Sequence, residues 1–266
     1  MPTKTTQYCA LLTCLLCVFS GESIFGQVAD TGVKQSLGLG AYYANGDYGD
    51  SNSTEILYVP VSYEANFGRW GFQLVMPWLE VRGRGNVLVN IGGITRAVAG
   101  TQRAKSSGIG DVIASAIYQF DPVSESAPFI DLRLDVKLPT ADEGRSLGTG
   151  ETDVSIQIDL SQNVSTSVIF ATIGRNHRGK TSLYPGLKDS SFAQVGFARP
   201  FSENWNGGIF FDYREAASSF SDDSRELVPY LSWQLSEKWS FTALVTRGFT
   251  DASADYSVMG QIIYRW

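Results

Sequence analysis

Between Phe129 and Pro139 the chain changes character at every step. Ile130, Leu132, Leu134, Val136 and Leu138 alternate with Asp131, Arg133, Asp135 and Lys137. Residues 153–160 do the same, with Val154, Ile156, Ile158 and Leu160 separated by Asp153, Ser155, Gln157 and Asp159. A period of two belongs to a β-strand whose two faces meet different surroundings. Here one face is wholly aliphatic and the other is polar, with full charges of both signs. The last segment alternates more loosely: Tyr256, Val258, Gly260, Ile262, Tyr264 and Trp266 keep step, while Met259 and Ile263 break it. Followed along the chain, the pattern predicts strands at 35–43, 54–66, 70–81, 110–120, 129–139 and 153–161. Six more are predicted at 165–174, 192–200, 205–214, 225–235, 239–248 and 254–266, and no segment reads as a helix. Each of the twelve comes near the roughly 9–11 residues that a tilted strand needs to cross a bilayer.

The connections alternate in length. Short ones at 66–69, 161–164, 201–204 and 236–238 are separated by longer ones at 44–53, 82–109, 140–152, 175–191, 215–224 and 249–253; 121–128 is the longest of the short series. The short turns share a scheme of apolar, Ser, two polar residues, then apolar or Trp: Leu160 to Val164, Phe201 to Trp205 and Leu235 to Trp239. Ser and Asn suit tight polar turns, and rings beside them suit the headgroup level of a membrane.

Residues 1–26 order themselves as a secretory signal peptide. A polar start with Lys4 is followed by the apolar run Cys9 to Phe19 and a small, polar stretch, with a cut expected after Gly26. The apolar run is too short to anchor the chain in a bilayer. Cys9, Cys14 and Cys17 all lie in this leader, so residues 27–266 can form no disulfide, thiolate metal site or cysteine nucleophile. No later stretch is long and apolar enough for a transmembrane helix, so a membrane form must be a closed sheet. The net charge of −6 argues against a nucleic-acid partner.

A chain ending on an aromatic within an alternating strand resembles a bacterial outer-membrane β-barrel, where the final aromatic, here Trp266, is part of the signal read by the barrel-assembly machinery. The expectation is an all-β fold: a single antiparallel transmembrane barrel of about twelve strands over residues 27–266. Short turns would face the periplasm and long loops the exterior, where lipid and lipopolysaccharide are the surroundings. The charged faces of 129–139 and 153–161 would then line the lumen, because an Arg or Lys facing lipid near the midplane costs about 2–4 kcal/mol.

A second resemblance is more specific. Gly108-Ile109-Gly110-Asp111-Val112 opens a strand; Lys137-Leu138-Pro139-Thr140 closes the next; Leu147-Gly148-Thr149-Gly150 then leads into Thr152-Asp153-Val154. This series resembles the outer-membrane transporter family named for the MetA pathway of phenol degradation, with Ala141 standing where the family has a further Gly. The resemblance implies a barrel that acts as a transporter or channel; it carries over no solute and no binding residues.

Competing chemistry reads weakly. Gly174 to Thr181 matches the phosphate-loop pattern, but Pro185-Gly186 follows where a helix should start. His177 is the only histidine, and the His-x-Ser pairing of twelve-stranded outer-membrane phospholipases is missing, since Arg178 and Gly179 follow it. No enzyme, cofactor or metal site is expected. The expected function is passive passage of small solutes, including hydrophobic or aromatic ones, through a lumen lined by Asp131, Arg133, Asp135, Lys137, Asp153, Gln157 and Asp159. For hydrophobic solutes Leu183, Tyr184 and Leu187 offer an entry surface. The alternative is a closed structural or binding barrel acting through its loops. Arg82, Arg84, Arg96, Arg103 and Lys105 lie in a segment, 82–109, without a single acid. That segment could fold into the lumen and favour anions, contact lipopolysaccharide outside, or remain a solvated loop and hairpin extension.

Overall fold

The computed structural model describes residues 33–48, 53–83, 87–91, 94–98, 104–124, 126–145, 147–180, 186–219 and 221–266, with backbone only for 87–91, 94–98 and Ala104. The expected leader, residues 1–26, lies outside these.

The first strands are β1 (Lys34–Gly46), β2 (Thr54–Phe67) and β3 (Trp70–Gly83). A small separate hairpin follows, β4 (Val87–Ile91) with β5 (Ile94–Val98). Then come β6 (Ala104–Ile109), β7 (Val112–Phe120), β8 (Phe129–Leu138), β9 (Asp153–Val164) and β10 (Ser167–His177). The remainder are β11 (Ser190–Pro200), β12 (Trp205–Arg214), β13 (Ser224–Gln234), β14 (Trp239–Gly248) and β15 (Tyr256–Arg265). Apart from the small hairpin, every strand pairs antiparallel with its sequence neighbour, and β15 returns to β1, so the sheet closes on itself. Because β6 and β7 form one interrupted stave, the described residues make a closed barrel of twelve staves.

The interruption falls at Gly110-Asp111. β3 pairs with β7 from Trp70 to Val75 and with β6 from Trp78 to Gly83. Between them stands Pro77, which has no N–H to give, and its carbonyl accepts the Gly110 N–H at 2.8 Å. The fourth strand therefore begins before the expected position 110, and much of the 82–109 segment is strand. A second correction concerns the turn expected at 161–164. β9 runs through it, because Ser161 simply continues the inward polar face, and the chain reverses at Ser165-Thr166 with Ser165 at φ 57°.

Alternation places aliphatic side chains outward all round the barrel, Leu39, Leu74, Leu134, Ile156, Ile173 and Val245 among them. The short-turn rim carries exposed or half-exposed aromatic rings: Trp70 against Tyr118, Trp205 stacked on Trp233 at 5.1 Å, and Trp239 against Tyr264. An apolar belt ending in a ring of amphipathic aromatics is the surface a barrel shows to lipid. Replacing Ile156 with Arg puts a cation in that belt. We expect Ile156→Arg to lower the unfolding free energy in lipid vesicles by about 2–4 kcal/mol. Ile156→Val, measured in the same urea titration, should shift it far less.

Candidate functional site

The interior is layered. On β13 the inward residues run Glu226, Val228, Tyr230, Ser232; on β2 they run Thr54, Ile56, Tyr58, then Ser62 and Glu64. On β12 they run Gly208, Phe210, Asp212, Arg214, and on β15 Ser257, Met259, Gln261. On β2, β12 and β13 polar side chains thus flank an apolar middle, whereas on β3 the apolar run Val75, Leu79, Val81 continues to the loop side. Val168 and Ile263 are apolar towards the short-turn side, and β8 and β9 are polar throughout. The middle layer is one continuous cluster that includes Tyr42, Tyr58, Leu79, Phe170, Phe210 and Met259, with Tyr230 packed against it. Sequence reasoning missed this layer. Inward apolar residues carry no compositional mark, and the two strands with the clearest alternation, β8 and β9, are the ones whose inner face is charged or polar throughout.

That charged face is a connected network. Arg133, 1 % exposed, donates from Nε to Asp135 Oδ1 at 2.7 Å and from Nη2 to Gln73 Oε1 and Ser115 Oγ, both at 2.8 Å. Gln157 Nε2 donates to Asp159 Oδ2 at 2.7 Å, and Thr172 donates its hydroxyl to the other oxygen of the same carboxylate. Asp131 stands opposite Asp159 in register and is buried. All seven residues expected to face the interior do so, with Asp153 the least covered.

Lys137 builds a second centre. Its Nζ lies 3.3 Å from Asp111 Oδ2 and 2.9 Å from Asp153 Oδ2, and it donates to Thr149 Oγ1 at 2.8 Å. Asp111 sits at the β6–β7 interruption, Asp153 opens β9, and Thr149 belongs to the connection 139–152. The other oxygen of Asp111 accepts the Ala141 N–H at 3.0 Å. Thr140 Oγ1 accepts the Val112 N–H and donates to the Gly110 carbonyl, fastening the start of the same connection to the interruption. Two glycines are required here. A Cβ on Gly148 would lie 2.9 Å from both Asp111 carboxylate oxygens, and Gly150, at φ +71°, would drive one into the Glu143 carboxylate. The three motifs quoted separately from the sequence therefore meet at one lysine, which draws the loop inward. Leu147 is its tip, 1 % exposed, within the apolar layer.

The neighbouring connection, 178–189, is tied to the same centre, since Gly179 N–H donates to Asp153 Oδ1 at 2.9 Å. His177 lies on the exposed end of β10, and its Nδ1–H donates to Asp189 Oδ2 at 2.8 Å. That hydrogen bond, with one from the Arg178 backbone, holds the Asp189 carboxyl below its ordinary value. Gly174 to His177 are β10 strand, not the loop of a phosphate site, and Thr181 lies outside the described residues with Leu183 and Tyr184. Leu187 forms an isolated bridge to Ser218.

The basic segment divides. Arg82 and Lys105 pair across β3 and β6, on the outward face with Trp78, and both bind the Glu80 carboxylate, at 2.6 and 3.0 Å. Arg84 and Arg103 lie outside the described residues, and Arg96 is placed only as a β5 backbone position. Trp266 is exposed at the short-turn rim, its ring stacked on Tyr264, with backbone hydrogen bonds to Gln35. Among the described residues, no group of three or more His, Cys, Asp or Glu side chains could hold a metal ion.

The profile of the family described as "Putative MetA-pathway of phenol degradation" matches residues 49–266. The chain belongs to this family. Among solved structures, it is similar to an outer-membrane channel from Pseudomonas putida F1 (10% identity, TM-score 0.68), covering 91% of this chain and all of that one. It is also similar to the KdgM porin (10% identity, TM-score 0.53, 86% and 98% covered). A third similar structure is the translocator domain of the autotransporter NalP from Neisseria meningitidis (8% identity, TM-score 0.51, 89% of each chain). No curated protein sequence matches. At these identities the shared property is the fold, a bacterial outer-membrane β-barrel.

Removing the lysine leaves the buried Asp111 and the partly buried Asp153 carboxylates without their shared cation. Lys137→Met should destabilise the refolded barrel by about 3–5 kcal/mol in a urea titration. Adding Asp111→Asn should recover part of that loss, because the two positions are coupled.

Proposed function

We propose that this protein is a passive outer-membrane channel for small apolar or aromatic solutes, and not an enzyme. The reading rests on one observation, the continuous cluster of buried aromatic and aliphatic side chains on the inner face of the barrel, beside the polar wall of β8 and β9. In water-filled porins the lumen is polar throughout. Against Tyr42, Tyr58, Phe170 and Phe210 an ion loses hydration, at a desolvation cost of several kcal/mol per ion. An uncharged ring with a single polar substituent exchanges water for ring faces at little cost. The polar ends suit it equally well: the Arg133 network and the serines and threonines of β13 and β14 offer hydrogen-bond partners to a hydroxyl on its way in or out.

In this account residues 1–26 are the leader, removed on export, and Trp266 is part of the signal that the assembly machinery reads. Asp131, Arg133, Asp135, Gln157 and Asp159 line one wall of the solute path, with Lys137 and Asp153 at its loop-side end. The alternative, a closed barrel acting through its loops, is favoured by the near-complete burial of the interior, where Val75, Val228 and Ile113 are each 0 % exposed.

The two readings separate in a flux assay. Purified protein refolded into lipid vesicles should accelerate release of a small phenolic solute over protein-free vesicles, while a hexose of similar size leaks no faster. A solute path of this kind also carries little ionic current. Equal, undetectable flux of both solutes through a correctly folded barrel would establish the closed reading instead.

A further inference from the structure

We infer that Leu147 is the residue that sets what passes through the barrel, and that Lys137 is its positioning residue. The inference deepens the channel reading and rests on it. Among the described residues, three buried side chains that come from connections and not from staves join the apolar cluster, Ala141, Leu147 and Ala254, and the partly buried Tyr48 packs against it. Leu147 is the largest of the three buried ones, is essentially fully buried, and belongs to the same cluster as the inward-facing Leu79, Val81 and Ile113 of β3 and β7. It contributes bulk to the layer without contributing to the wall. A side chain so placed narrows the path and can be changed while every stave keeps its register.

Its position is over-determined. Lys137 holds Thr149 two residues beyond it, and Asp111 holds the Ala141 backbone six residues before it. The Arg145 carbonyl accepts the Ser106 hydroxyl, and the Arg145 guanidinium reaches the Ser107 carbonyl at 3.4 Å, so β6 grips the loop from a third direction. Gly108 on β6 leaves the room the leucine needs, since a Cβ there would lie 2.8 Å from Leu147 Cδ1. Ion pairs, backbone contacts and vacant Cβ positions from three elements converge on seating one aliphatic side chain. A solvated loop needs none of them. The match of this leucine to the apolar layer assigns its selectivity: it discriminates by the cross-section of an apolar solute, not by charge.

The experiment compares wild type, Leu147→Ala, Leu147→Trp and Gly148→Val in the vesicle assay, with phenol and the bulkier 1-naphthol as probes. Heat-modifiable electrophoretic mobility verifies folding of each variant. Leu147→Ala should raise 1-naphthol flux several-fold more than phenol flux, and Leu147→Trp should depress both. Gly148→Val, whose Cβ would lie 2.8 Å from that of Ala141, unseats the loop by a different route and should act in the direction of Leu147→Ala. If wild type passes phenol and all three folded variants keep its phenol-to-naphthol ratio, the inference is overturned and the channel reading stands. If no folded form passes either probe, both fall together.

Discussion

Every peptide group inside a membrane must find a partner within the protein, because lipid offers none and each unpaired group costs several kcal/mol. The pairing of β1 with β15 meets this demand at the seam, in register from Ser36 opposite Arg265 to Asn45 opposite Tyr256. Trp266 and Gln35 extend it by exchanging backbone hydrogen bonds at 3.1 and 3.3 Å. Once the sheet is closed, each stave residue has only two environments, lipid or interior. The charges of β8 are thereby committed to the interior, and they must neutralise one another there. Arg133 reaches across β7 to Gln73 on β3, and Lys137 sits between two aspartates, because no solvent shell is available to do the same.

Closure also explains why the connections matter. Twelve staves enclose more space than an eight-stranded barrel, whose interior its side chains just fill. The connection 139–152 supplies part of the difference. Its inward course follows from Lys137: a buried ammonium needs several oxygen partners, and the strand end alone gives it only carboxylates. Recruiting Thr149 satisfies the lysine and brings Leu147 into the apolar layer in one movement.

Most of the architecture was legible in the sequence because the lipid boundary imposes a strict period of two. The twelve staves, the outward aliphatic faces and the rim aromatics could be read one residue at a time from that period. The fourth stave was legible only in part: the role of Pro77 depends on which strand lies beside it, and spacing does not give that. The candidate site was half legible. Parity put Asp131, Arg133 and Lys137 on the inner face, and the family motifs marked Asp111, Thr149 and Gly148 without a role. Their meeting at one ammonium is a property of three-dimensional neighbourhood. The apolar layer was hidden for a simpler reason: Tyr58 and Phe210 are inward residues of the kind expected on the lipid side. The basic composition of 82–109 left open a constriction, a lipopolysaccharide contact and a solvated loop; of its residues, Arg82 and Lys105 take the outward parity of their strands and bind Glu80.

The layered interior can be measured directly, because residues 27–266 contain no cysteine and each single Cys is a clean probe. Ser232→Cys, Met259→Cys and Thr246→Cys place thiols in the inner polar, apolar and outer polar layers in turn. Barrels in vesicles would be labelled with a charged methanethiosulfonate and with an uncharged one of equal size. The account predicts that the two reagents modify positions 232 and 246 at comparable rates, while only the uncharged one modifies position 259. Equal modification of all three positions by the charged reagent would mean a continuous water path, and would contradict an apolar layer as the determinant of passage.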